Sequence, residues 1–101
     1  MMLTVSQAIS KFTNEEEVIA AANNSNYGLN AAVFATDSER LQRVSAALEV
    51  GTVTTNYWGG LHANVPFGGV KESGFGRDFG EESLDSWTQT KTVKQLFMPR
   101  P

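Results

Sequence analysis

The densest chemical signal lies between Pro66 and Gly80. The run Pro-Phe-Gly-Gly-Val-Lys-Glu-Ser-Gly-Phe-Gly-Arg-Asp-Phe-Gly holds five of the chain's nine glycines. Glycine frees backbone N–H groups for close approach to a phosphate, and Gly74-Phe75-Gly76-Arg77 adds a cation to such a cradle. The spacing fits neither G-x-G-x-x-G nor G-x-x-x-x-G-K-[ST], so the cradle is the weaker reading. Phe67, Phe75 and Phe79 give the run something apolar to bury, which favours a packed loop over a flexible linker. His62, the one histidine, could act as a general base near neutral pH, but no carboxylate partner is evident, and a surface or hydrogen-bonding role is preferred. Glu15-Glu16-Glu17 is read as a complement to a helix N-terminus rather than a metal site. The chain has no cysteine, so disulfides and thiolate metal sites are excluded, and zinc would need carboxylates at no recognisable spacing.

These residues need elements to position them. Leu3 to Ser6 alternates apolar and polar, as a short strand does. Thr13 with Glu16, or equally Asn14 with Glu17, forms a capping box ahead of a helix over Glu15–Ala22. Asn23 to Gly28 is rich in turn residues, and Gly28 is expected in a conformation costly to other residues. Leu29 to Ala35 is nearly continuously apolar, as in a strand covered on both faces. Thr36 and Glu39 repeat the capping box, and Leu41, Val44 and Leu48 then share one helix face. Gly51 stands where a helix-ending glycine belongs, and Thr52–Thr55 is β-branched throughout. The order strand, helix, strand, helix, strand predicts an α/β fold: a three-layer-type βαβαβ unit with parallel strands and right-handed crossovers. The glycine-rich loop follows, then a short helix containing Leu84 and Trp87, then a C-terminal strand over Thr92–Met98. No glycine fingerprint opens either helix, so the unit is not by itself a dinucleotide-binding fold.

Asn56 to Val65 forms the loop at the C-terminal end of the third strand, the edge where open α/β sheets bind ligands. Tyr57, Trp58, Leu61 and Val65 could line an apolar pocket there, or pack under the glycine loop. The apolar end Leu96-Phe97-Met98 would be a sticky edge in a monomer and is expected to pair with something.

With 101 residues, the chain allows one domain and a modest core. Its net charge of −3 and pI of about 5.0 leave no basic patch to meet nucleic-acid phosphates. Arg40 and Arg43 form a close basic pair, expected on a solvated helix face. No apolar run approaches the ~20 residues of a membrane helix, and the start has no signal-peptide character. A cytoplasmic protein is the default expectation.

Pro66 to Gly80 resembles the C-terminal signature of the aldehyde dehydrogenase superfamily, Pro-Phe-Gly-Gly-x-Lys-x-Ser-Gly-x-Gly-Arg followed by an acidic residue, an apolar residue and Gly. Asn23 to Phe34 resembles its Ala-Asn-x-x-x-Tyr-Gly-Leu-x-Ala-x-Val-Phe segment, with Tyr27, Gly28, Leu29, Ala31, Val33 and Phe34 in place and Asn24 beside the motif's asparagine. Gly51-Thr52-Val53 with Asn56 resembles its Gly-Thr-Val-x-x-Asn strand, and Thr88 with Lys91-Thr92-Val93 its closing Thr-x-x-Lys-Thr-Val. The likeness covers about residues 3 to 95, with the motifs in order.

The resemblance implies oxidation of an aldehyde to a carboxylic acid with NAD or NADP. The nucleophile would be a cysteine thiolate, apt because it attacks strongly and leaves well. This chain has none, and it lacks the cofactor domain. It is therefore expected to be a C-terminal fragment, inactive alone and binding no cofactor alone. Residues 1–91 would end a catalytic domain, and 92–101 would form an oligomerisation strand and tail. By position, Phe67 corresponds to the aromatic wall of the aldehyde pocket, and Gly59 and Leu61 to positions that shape it. Thr92, Val93, Lys94, Gln95, Leu96 and Phe97 correspond to a strand that contacts another subunit. In some members the carbonyls at the places of Lys71 and Gly74 hold potassium. Many members carry glutamate where Gln89 stands, paired with arginines, one at the place of Arg77; a neutral Gln89 can hydrogen-bond but not form an ion pair.

The expected partners are an aldehyde substrate and either a homo-oligomer or the remainder of a dehydrogenase chain, with no nucleic acid and no membrane. Met1-Met2 directly before Leu3 favours a truncation. The competing readings are a freestanding module that pairs with a full-length dehydrogenase by strand addition, and a small phosphate-ligand binder.

Overall fold

The computed structural model describes residues 7–101. The expected strand Leu3–Ser6 lies outside them. Helix α1 spans Glu15–Asn23. Of the two capping boxes the sequence offers, Asn14 forms the cap: its Oδ1 accepts from Glu16 N at 2.8 Å and Glu17 N at 3.5 Å. Strands β1 (Tyr27–Gly28) and β2 (Asn30–Val33) follow, then α2 (Ser38–Ala47) and β3 (Thr52–Thr55). The α2 cap is Asp37 rather than Thr36, with Asp37 Oδ1 accepting from Glu39 N at 3.0 Å. A carboxylate at a helix N-terminus also meets the positive end of the helix dipole, which a threonine hydroxyl does not.

β2 and β3 pair in parallel over four residues, Asn30 opposite Thr52 through Val33 opposite Thr55, with α2 as the crossover. The described residues thus hold one βαβ unit in a two-stranded sheet; the first strand of the expected βαβαβ unit lies outside them. Side-chain alternation along β3 gives the sheet two distinct faces. Val53 and Thr55 face α2 beside Leu41 and Ser45, while Thr52 and Thr54 face the opposite way. α1 is tied to α2 by a fork in which Arg43 Nε and Nη2 donate to the two Glu15 oxygens at 2.7 and 3.0 Å, with Arg40 Nε at 3.4 Å. Arg40 and Arg43 are thus exposed but not a free basic pair: they complement Glu15 across the helix gap.

Gly28 and Gly51 serve close approach, not unusual torsion. Neither has a positive φ. A Cβ on Gly28 would stand 2.6 Å from Glu49 O and 2.8 Å from Val70 Cγ2, and one on Gly51 would run into the Gly68 carbonyl. This corrects two expectations. Gly28 is not in a conformation reserved for glycine, and Gly51 does not end α2, whose C-cap is the extended Leu48. Around Gly28 three segments meet. Its N–H donates to Ser73 Oγ at 3.0 Å, its carbonyl accepts from Gly51 N at 3.1 Å, and it pairs antiparallel with Val70 of β4 (Val70–Lys71). A second clasp lies beside it. Asn23 Nδ2 donates to Ala47 O at 2.8 Å and Asn23 Oδ1 accepts from Glu49 N at 2.9 Å. Lys71 Nζ donates to Asn23 O at 2.8 Å and pairs with Glu49 at 2.8 Å.

Beyond the glycine loop, Glu81–Ser86 forms a 3-10 helix that holds Leu84, with Trp87 at its C-cap. The expected strand over Thr92–Met98 is not formed, and residues 88–101 carry no regular structure. Val93, Leu96, Phe97 and Met98 are 75–83% exposed. The reason is physical: a strand owes its backbone bonds to a neighbour, and among the described residues no other strand lies alongside. Among the described residues no apolar side chain is fully buried. The radius of gyration is 21.1 Å, against about 13 Å for a compact chain of this length.

Candidate functional site

The loop that leaves β3 turns back over the face of the sheet opposite α2. Asn56 starts the turn with φ +59°, and Gly59 and Gly60 continue it at +85° and +93°. Positive φ is costly for most side chains but open to asparagine and glycine. Thr54 Oγ1 donates to Tyr57 O at 2.9 Å and holds the first residue of the turn against β3.

Under this loop lies a cleft of about 220 Å³ lined by Asn30, Ala31, Thr52, Thr54, Trp58, Gly59, Gly60, Leu61 and Phe67. The sheet makes its floor, the loop one wall and Phe67 the other. Gly59, Leu61 and Phe67 therefore converge on one space. The cleft lies on the sheet face rather than at the strand ends, because the loop folds back. Tyr57 and Val65 do not join the lining.

Phe67 is held through its backbone. Its N–H donates to Asp78 O at 2.8 Å and its carbonyl accepts from Asp78 N at 2.7 Å. The glycines beside it are demanded by crowding: a Cβ on Gly68 would stand 2.9 Å from Arg77 Cδ, and one on Gly69 2.6 Å from Ser73 Cβ. Arg77 Nη1 donates to Gly69 O at 2.9 Å and Gly76 O at 2.8 Å. It thus stitches the glycine loop to itself, and among the described residues no hydrogen bond joins it to Gln89. The same bonds turn Arg77 toward carbonyls, the opposite of what a phosphate cradle requires.

Among the described residues His62 has no carboxylate partner, and no group of three His, Cys, Asp or Glu could hold a metal ion. The Lys71 carbonyl accepts Gly74 N at 3.4 Å, which places both backbone positions in one turn. The Arg43 hydrogen bond holds the Glu15 pKa below the ordinary 4.5, and the same bond raises that of Arg43. Both lie away from the cleft. What the cleft can do is hold a small, largely apolar molecule against an aromatic wall. It presents no thiol, since the chain has no cysteine.

Asn56 and Thr54 are contributors that motif reading left without a part in the site. The available signal was an asparagine directly after a β-branched strand, a residue type suited to left-handed turns.

The aldehyde dehydrogenase family profile matches residues 7–93. Mouse retinaldehyde dehydrogenase 3 is 49% identical over 87 residues, which is 86% of this chain and 17% of that protein. An aldehyde dehydrogenase of Alternaria alternata is also 49% identical, over 85 residues, again 17% of its length. Among solved structures, the NAD+ complex of a Bacillus cereus aldehyde dehydrogenase superposes with a TM-score of 0.79 at 44% identity, covering 81% of this chain and 17% of that one. Staphylococcus aureus betaine aldehyde dehydrogenase in complex with NAD+ gives 0.73 at 45% identity. The chain thus spans about a sixth of the length of the relatives it matches. With its motifs in order and its glycine loop closed around Phe67, the chain belongs to the aldehyde dehydrogenase family.

Proposed function

We propose that the chain is the C-terminal part of the catalytic domain of an NAD(P)-dependent aldehyde dehydrogenase and supplies one side of its aldehyde pocket. The observation that carries this is the convergence of Phe67, Leu61 and Gly59 on one cleft in a chain of this family. Phe67 and Leu61 would grip the apolar part of the aldehyde and exclude water from it. Gly59 would leave room at the mouth, since a Cβ there meets nothing within 4 Å. The nucleophilic thiolate that attacks the carbonyl would come from residues outside this sequence, which has no cysteine. NAD or NADP accepts hydride in such an enzyme. No glycine fingerprint for it stands in this chain, so cofactor binding would also belong to the remainder, while residues 1–91 would end the catalytic domain. Thr92 to Phe97 would form the subunit contact. A cytoplasmic location accords with this reading; no helix among the described residues is long and apolar enough to cross a membrane.

The exposed segment 93–98 favours a second reading, a freestanding module that adds this strand to a full-length dehydrogenase. The two readings share the cleft and differ in assembly.

The test is titration of the isotope-labelled chain with benzamide, a neutral and unreactive stand-in for an aromatic aldehyde, read by backbone amide shifts. Perturbation centred on residues 58–61 and 67 is expected. Shifts confined elsewhere would remove the pocket. A companion assay with NAD+ and benzaldehyde should give no turnover by this chain alone, and turnover above background would overturn the fragment reading.

A further inference from the structure

Asn56 joins two strand ends and the cleft loop through three separate features. Its N–H donates to Val33 O at 2.8 Å. Its side-chain Oδ1 accepts from Ala35 N at 2.9 Å. These bonds bracket Phe34 and fix the end of β2 against the end of β3. Its φ of +59° then sends the chain back over the sheet. From this point the backbone has one further tie before the cleft, the Thr54 hydroxyl on the Tyr57 carbonyl at 2.9 Å. Trp58, Gly59, Gly60 and Leu61 follow directly and make the whole loop wall.

Two glycines with positive φ cannot hold a wall in place unaided, because glycine is the least restrained residue type. The restraint has to come from the loop's root. Asparagine suits that root on two counts: it tolerates the left-handed conformation, and its short carbonyl reaches a nearby backbone N–H. Aspartate keeps both properties. Glycine keeps the torsion and loses the acceptor. Alanine loses both.

We propose that Asn56 is a positioning residue that sets where the Trp58–Leu61 wall stands opposite Phe67, and so governs what fits the cleft. The proposal rests on the reading of the cleft as a ligand pocket. Asn56 itself does not line the cleft, so its influence passes through the loop.

The test compares the parent chain with N56D, N56G and N56A, measuring amide exchange residue by residue and benzamide titration. N56D should match the parent in both within about twofold. N56G and N56A should exchange the Ala35 amide about tenfold faster and bind benzamide about fivefold more weakly, while amides in α1 keep their parent rates. A merely structural role would instead raise exchange throughout all three elements together. If Ala35 exchange rises in N56G but residues 58–61 and benzamide binding are unmoved, Asn56 is only a strand tie and the proposal falls. Random-coil exchange throughout the parent chain would also overturn it, since the bracket would not form. If the parent does not bind benzamide but residues 58–61 shift in N56G and not in N56D, the positioning role stands and the pocket reading falls.

Discussion

Phe67 and Asp78 exchange both backbone hydrogen bonds, at 2.8 and 2.7 Å, and so close the glycine loop on itself. The side chain of Asp78 takes no part in any hydrogen bond or ion pair found among the described residues. Asp78→Ala should therefore be nearly neutral, within ~0.5 kcal/mol. Asp78→Pro removes the N–H that Phe67 O accepts and should cost about 1–3 kcal/mol locally. Amide exchange at Phe67 separates the two variants: it should rise in the proline variant alone.

Gly28 has no room for a side chain. Gly28→Ala would force a Cβ to 2.6 Å from Glu49 O and 2.8 Å from Val70 Cγ2. An expected loss of about 1–3 kcal/mol should lower the urea midpoint. The Gly51 amide, which donates to the Gly28 carbonyl, should exchange faster.

Asn23 holds the ends of both helices. Asn23→Ala removes its side-chain bonds to Ala47 O and Glu49 N, each worth about 1 kcal/mol. Lys71 should keep its contact with the Asn23 carbonyl, because that contact is to backbone. A lower urea midpoint in Asn23→Ala, with a smaller effect in Lys71→Met, is the expected order.

The Glu15–Arg43 fork makes a signed pH prediction. The Glu15 pKa is lowered from 4.5 by the Arg43 hydrogen bond. A depressed folded-state pKa means that the contribution is complete above the ordinary value and disappears as pH falls through the lowered one. Stability should drop below about pH 4.5 in the parent, and Glu15→Gln should lack this component. The pair is exposed, so the effect should be small and should shrink with added salt. Urea midpoints across that range, with carboxyl resonances of Glu15, provide the check.

Removal of residues 92–101 should abolish self-association without altering amide exchange in α2 or β3, since the tail lies outside both. Sedimentation at several concentrations reads the first effect. Undiminished self-association would move the sticky surface elsewhere.

The elements legible in the sequence were those fixed by local physics. Thr52–Thr55 reads as a strand from its β-branched run, and α1 and α2 from capping residues followed by spaced apolar positions. Phe67, Leu61 and Gly59 came from motif likeness, and the fold brings them to one cleft. What stayed hidden depended on distant partners. Nothing local says that Gly28 is required by Glu49 and Val70, or that Arg77 is satisfied by the Gly69 carbonyl. Thr92–Phe97 has strand composition, yet composition cannot supply the neighbouring strand.

The absence of a fully buried apolar side chain among the described residues has a consequence for how this segment must be handled. Its accessible surface is 9307 Å², where a compact monomer of this mass would show roughly 5,600 Å². The excess is larger than one partner's share of most obligate interfaces. Such a surface is a core laid open rather than a docking patch. Anything that covers it binds the folded form, so the apparent stability of this segment will rise with the concentration of that partner.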